Sequence, residues 1–524
     1  MSGARRKTTA FEQRCRRGLR CFSRVAGMWL ARVCRSGLLL ALLGGGVAAA
    51  APPDAPLADA AKRADWATVE TLLRQGTDVD ARQGDGSTAL HWASYWDNPA
   101  IAARLIRAGS AVDATNDLGV TPLWAGCENG SPAMVEALLA AGADPNRALP
   151  FGETPLMTAA RTGNADVVGQ LLAAGADVDA ATEDGAYGAQ TALMWAVAQK
   201  HPAVVEVLLA HGADVRARST TFTETVKTIP TYANYGLQCV PRDECYITDV
   251  RSGGFTPLLF AARVGDLASA RLLAAAGADV NEAAPDGASA LAIAALSGHG
   301  AVGAFLLDRG ADPNAAGGGY APLHAAIVHR DPLLAEALLS AGADPNARVS
   351  ASTRYTRDSA DFFFAPWFVG APAFWLAARY REAGIMRLLA RHGADPAATH
   401  SPAYWTRDRR TAASRMWVDE GQTTALMAAV GLGGRDPLWA VDHRARVAEA
   451  TELGRGPDRN AAQAATLEAV RVAVELGIEV NAANARGQTA ISRATADGFE
   501  AVVAFLVEHG AAPPLDTGDP TRGR

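Results

Sequence analysis

The chain has 524 residues, 49% of them hydrophobic, 20% charged and only 6% aromatic, with a formal net charge of −6. That hydrophobic share excludes wholesale disorder, the scarcity of rings argues against several large compact cores, and no apolar run reaches the roughly 18 residues of a membrane span. The charge is an average over two unlike parts.

Residues 1–49 carry ten basic residues, from Arg5 to Arg35, against one acid, Glu12. An apolar stretch from Gly37 to Val47 follows, then the small-residue run Ala48–Ala51. Basic, then apolar, then small is the order of a secretory signal peptide, with 50–56 as a short linker. Met28 offers a start that leaves Trp29–Ala49 as a signal of ordinary length. Without residues 1–49 the chain carries 39 basic and 54 acidic side chains, near −15. An acidic chain of this kind is not expected to bind nucleic acid, which needs a basic face. Four Lys against 45 Arg suggests a GC-rich bacterial genome, so the expected location is the periplasm or the medium outside the cell. Cys127, Cys239 and Cys245 remain after the signal. Cys239 and Cys245 bracket a short polar loop and are a candidate disulfide. Cys127 falls on an apolar helix face and reads as a small core residue.

One phrase then recurs along the chain. Asp117-Leu118-Gly119-Val120-Thr121-Pro122-Leu123-Trp124 opens a unit that closes in Gly142-Ala143-Asp144-Pro145-Asn146, and Thr154-Pro155-Leu156 starts the phrase again. Equivalent anchors fall at Thr88, Thr121, Thr154, Thr191, Thr256, Ser289, Ala321, Pro372, Thr424 and Thr489. A degenerate unit, Leu57 to Ala81, precedes them without an opening turn. Asp85-Gly86 and Asp286-Gly287 suit tight turns. The anchor Thr can cap a helix and the following Pro fits its first turn. Spaced apolar positions such as Val204, Val205, Leu208 and Leu209 form one face of a second helix, which Gly142, Gly175 or Gly212 then ends. A single unit cannot bury its own apolar face, so neighbours must stack.

These phrases resemble the ankyrin repeat, most clearly at Ala321-Pro322-Leu323-His324 and in the Gly-Ala-Asp-Pro-Asn phrases at 310–314 and 342–346. The resemblance implies an all-α solenoid of about ten repeats plus an N-terminal cap, with β-turn fingers. It spans 57–217, 253–348, 370–399 and 421–512, leaving 513–524 as an expected disordered tail. Three insertions, 218–252, 349–369 and 400–420, fall in the turn that such proteins project beside their concave binding surface. A fourth, 435–461, separates the two helices of one unit and contains a helix-like stretch, Pro437 to Leu453.

The three finger insertions hold 13 of the 34 aromatic residues in about 77 positions. Aromatics and Arg dominate interface hot spots, so Tyr355, Phe362, Phe363, Phe364, Trp367, Phe368, Tyr404, Trp405, Arg407 and Trp417 are candidate partner-binding residues. The bland alternative is a satellite core that orders the long loops. The segments Arg354–Asp358 and Tyr404–Asp408 echo each other and could pair as strands or present the same group twice.

No catalytic or nucleotide fingerprint stands out, no cofactor or metal is implied, and most histidines occupy repeat positions. The reading is a monomeric, non-enzymatic binding module that captures a protein partner. By resemblance to exported bacterial ankyrin proteins, it would support or inhibit a co-exported enzyme. The alternatives are a secreted effector acting on a host protein and an enzyme whose site is built from His400, Arg407 and Asp408.

Overall fold

The computed structural model describes residues 55–183, 188–228, 246–351, 368–407, 415–419, 421–433 and 459–512. The expected signal peptide, Cys239 and Cys245, Tyr355, Phe362, Phe363, Phe364, Trp367, Asp408, the stretch from Pro437 to Leu453 and the expected tail lie outside these residues.

Helices come in pairs. The first is α1 (Pro56–Lys62) with α2 (Trp66–Arg74), the degenerate unit. Then follow α3 (Ala89–Tyr95) with α4 (Pro99–Arg107), α5 (Pro122–Asn129) with α6 (Pro132–Ala140), α7 (Pro155–Thr162) with α8 (Ala165–Ala173), and α9 (Ala192–Ala198) with α10 (Pro202–Ala210). A hairpin, β1 (Thr221–Thr228) and β2 (Tyr246–Gly253), interrupts the series. Next come α11 (Pro257–Val264) with α12 (Leu267–Ala275), α13 (Ala290–Leu296) with α14 (Gly300–Asp308), α15 (Pro322–Val328) with α16 (Pro332–Ser340), and α17 (Ala373–Arg379) with α18 (Ala383–Arg391). A second hairpin, β3 (Ala403–Arg407) and β4 (Arg415–Asp419), leads to α19 (Ala425–Ala429), α20 (Arg459–Glu475), α21 (Ala490–Asp497) and α22 (Glu500–Glu508).

Each anchor residue stands at the N-cap of the first helix of its pair. At Thr121, Thr154, Thr191, Thr256, Ser289 and Thr424 the side-chain hydroxyl accepts from the third amide of the helix, satisfying a donor that has no partner within the helix. Ala321 lacks a hydroxyl. There His324 Nδ1 accepts from the Ala321 amide at 3.0 Å. The second helices end two residues before a left-handed glycine, as at Ala140 and Gly142 (φ 90°), where any other residue would be strained.

First helices pack in one row, each on its neighbour from α1 to α19, and second helices in another, each on its neighbour from α4 to α22. The interior between them is mostly Leu, Val, Ile, Met and Ala, including Leu90, Leu123, Val168, Leu208 and Leu306, all buried. Cys127 is buried there as well, and burial raises its thiol pKa far above the ordinary value. A thiol held protonated in this way is inert. The final turns repeat one latch. Asn146 Nδ2 donates to the Gly175 carbonyl at 3.0 Å while its Oδ1 accepts from the Asp177 amide at 2.8 Å.

The all-α expectation holds for the stacked pairs and fails in the fingers, where two antiparallel hairpins stand. They are lengthened fingers. An ordinary finger closes with a single bridge, as between Ala283 and Ser289 or Ala483 and Thr489. The three insertions leave the stack at the same place: Ser219 N donates to Phe255 O, Arg348 bridges Pro372, and His400 bridges Thr423. The expected pairing of 404–408 with 354–358 is corrected in part: Tyr404 to Arg407 pair with Arg415 to Val418 of the same insertion, and 354–358 lie outside the described residues.

Candidate functional site

The finger edge carries two distinct constructions. The first lies at the stems of the second and third insertions. Phe368 is 1% exposed and packs against Trp375 and Tyr380, with ring centroids 6.4 and 6.2 Å apart. A ring with no surface cannot meet a partner, so Phe368 leaves the candidate set and belongs to the satellite core. His400 is likewise buried, 4.6 Å from the Trp375 ring centre. It joins the stem packing, and the notion of a catalytic His400 loses its exposed imidazole. Trp375 Nε1 donates to Thr423 Oγ1 at 3.1 Å, and Thr423 Oγ1 donates to the His400 carbonyl at 2.8 Å. These bonds tie the base of the third insertion to α17. Tyr404, Trp405, Arg407 and Trp417 lie on β3 and β4, and their side chains are outside what is described.

The second construction was missed in the sequence. Trp92, Trp124, Trp195 and Phe260 stand three or four residues after their anchors on α3, α5, α9 and α11, and all are half-buried. Trp92 Nε1 donates to Gln83 Oε1 at 2.8 Å, which turns the ring toward the finger side. Lys62 Nζ lies 5.1 Å from its centre. Further along, Arg161 on α7 pairs with Glu128 of α5, lies 3.7 Å from Glu153, and sits 5.9 Å from the centre of Trp195.

Glu153 occupies the finger stem just before Thr154 and accepts from Thr158 Oγ1 at 2.9 Å. Its burial pushes the carboxyl pKa above the ordinary range, with Arg161 and the Thr158 hydroxyl pulling it back. Glu282, on the stem that leads from α12 toward Ser289, accepts instead from the Thr256 hydroxyl; burial raises its carboxyl pKa as well, while that hydroxyl and Arg218 oppose the rise. The signal in the sequence was positional. The fourth place after the anchor is half-buried at Trp92, Trp195 and Phe260, whereas the third place is buried at His91, His324 and Trp375 and half-buried at Trp124.

Two exposed apolar side chains crown the neighbouring fingers, Leu118 at 72% and Phe151 at 55% exposure. The fingers are joined by backbone bonds from Asp117 N to Asp85 O and from Glu183 N to Phe151 O. This arrangement offers rings, carboxylates and finger-tip anchors along one face, which suits binding. Among the described residues no group of His, Cys, Asp and Glu is arranged to hold a metal ion, and no helix is long and apolar enough to cross a membrane.

A family model described as ankyrin repeats (3 copies) matches residues 57–148, 142–219, 238–317 and 258–349. No curated protein matches the chain. Among solved structures, the chain is similar to the crystal structure of the human ASB11 ankyrin repeat domain. The two share 26% identity over 50% of this chain and all of that one, with a TM-score of 0.39.

Proposed function

The chain belongs to the ankyrin-repeat family, and on that premise we propose that it is an exported scaffold of ten repeats plus an N-terminal cap that holds one protein partner. The observation that supports this reading is the common register of the fingers. Because every anchor caps its helix at the same point, the three long insertions emerge from the same edge on which Trp92, Trp124 and Trp195 are displayed. A face several repeats long, rich in rings and rimmed by polar groups, has the make-up of a protein interface. The order of basic, apolar and small residues in 1–51 supports export, and a co-exported enzyme is the partner class proposed.

The test is capture. The full chain is immobilised and exposed to envelope extract from its own source, beside a variant carrying Phe363→Ala, Trp367→Ala and Trp405→Ala. A specific partner retained by the parent and lost by the variant, with the melting temperature nearly unchanged, is the expected result. A large loss of stability would make those rings satellite core instead. Recovery of the protein in the cytoplasmic fraction would refute export, and recovery in culture medium would favour the effector reading.

A further inference from the structure

The stretch of chain that displays these rings, residues 57–217, is also its most acidic stretch. Residues 57–217 carry 20 acidic and ten basic side chains, about two thirds of the net negative charge that remains after residue 49. The face already seats cations of its own. Lys62 rests on Trp92, and Arg161 rests on Trp195 with Glu128 and Glu153 around its guanidinium. A ring face combined with a carboxylate attracts a cation through both the quadrupole and the charge. Trp124 lies between these two seats and beside Glu153, half-buried, and among the described residues no cation lies over it.

The finger tips add anchors. Phe151 is held at φ +80°, a conformation that costs a bulky side chain about 1 kcal/mol or more. Its ring is exposed all the same, so burial in this chain does not offset that cost. Leu118 holds the equivalent place one finger earlier and is more exposed still.

We infer that this face takes a basic, extended segment of the protein partner. Apolar side chains of that segment seat against Leu118 and Phe151, and an Arg or Lys seats over Trp124 beside Glu153. The inference rests on the scaffold reading and adds the chemistry of the partner to it.

Two fluorescein-labelled peptides of equal length and equal leucine content test it, one arginine-rich and one glutamate-rich, each titrated with the full chain and followed by anisotropy. The arginine-rich peptide is expected to bind saturably and more weakly as salt rises, and the glutamate-rich peptide is expected not to bind. The double variant Leu118→Asp with Phe151→Asp is expected to lose about tenfold in affinity. Those substitutions lie on exposed turns and add negative charge, so attraction by diffuse charge alone would strengthen binding instead. Unchanged or tighter binding by the variant overturns the assigned face. Equal binding of both peptides, or of neither, overturns the basic segment. Envelope capture is indifferent to peptide charge: if capture persists while the peptides fail, only this inference falls, and if capture fails, the scaffold reading falls with it.

Discussion

The imidazole of His299 stands in the space that a side chain on Gly265 would fill. A Cβ at Gly265 would come within 2.4 Å of His299 Nδ1, and Nε2 lies 3.2 Å from the Arg263 carbonyl oxygen, placed to donate to it. Gly265 ends α11 at φ 74°, so it is required twice, once for its backbone and once for its neighbour. Gly265→Ala is expected to cost about 2 kcal/mol, roughly half from the left-handed backbone and the rest from displacing the ring. Adding His299→Ala removes the collision, so the double variant should lose less than the sum of the single losses. Urea unfolding of the four proteins measures this, and strictly additive losses would refute the contact.

His324 makes stability depend on acidity. Its Nδ1 accepts from the Ala321 amide, so the proton sits on Nε2, which is 3.0 Å from the Ala347 carbonyl. Burial lowers its pKa to about 4, against the raising pull of that carbonyl and of Asp344. Between the ordinary value of 6.5 and about 4 the unfolded chain takes a proton that the folded chain refuses. The contribution is therefore complete above pH 6.5 and drains away as pH falls toward 4, by up to about 3 kcal/mol. His91, buried and lowered in the same way, acts in the same direction, while the raised carboxyls of Glu153, Glu282 and Glu382 act against it. A difference measurement isolates the histidine. The stability gap between the parent and His324→Gln should narrow on going from pH 7.5 to 4.5, and a gap independent of pH would rule the mechanism out.

The turn after each second helix provides a graded test. Asn146, Asn281, Asn314, Asn346 and Asn481 each donate to a glycine carbonyl of the next pair and accept an amide from it. Asp80, Asp113 and Asp179 stand at the same place and accept only the amide, from Ala111, Asp144 and Asp214. A carboxylate has no proton to give to the glycine. Asn314→Asp is expected to cost about 1 kcal/mol, and Asp113→Asn to add up to about the same amount. Thermal melting of both variants decides it: equal shifts of one sign would mean that the second bond is immaterial.

The register was legible because it is written twice over. Anchor Thr, following Pro and closing Gly specify helix ends locally, and the apolar spacing specifies what those helices bury. The fingers were less legible. Helical periodicity carries no information on strand pairing, and the alternation Thr221-Phe222-Thr223-Glu224-Thr225-Val226, a strand signal, lies within the insertion 218–252, which was read for its aromatic content and its cysteine pair. Aromatic enrichment also misled at Phe368. Composition locates rings in a segment but not along its stem, and the stem of an inserted finger must pack on the stack to leave it in a fixed direction. Trp92, Trp124 and Trp195 escaped notice for the opposite reason: within a helix they read as core, whereas the structure leaves them half-buried.

Trp375 shows how tightly such a stem is held. It is fully buried, bonded to Thr423, and flanked by Phe368 and His400. Gly433, at φ 96°, leaves room for it: a Cβ there would lie 2.3 Å from Trp375 Cζ2. Trp375→Ala should cost about 3–5 kcal/mol, as emptying a buried aromatic site does. Trp375→Phe keeps most of the packing but leaves Thr423 without its indole donor, and should cost about 1–2 kcal/mol. If the stem orients the third insertion, Trp375→Phe should also raise hydrogen exchange at the Thr423 amide, which donates to the His400 carbonyl at 2.7 Å, while exchange in α5 to α8 stays unchanged. Faster exchange throughout the stack would instead mean that Trp375 supports the whole array rather than the finger that leaves it.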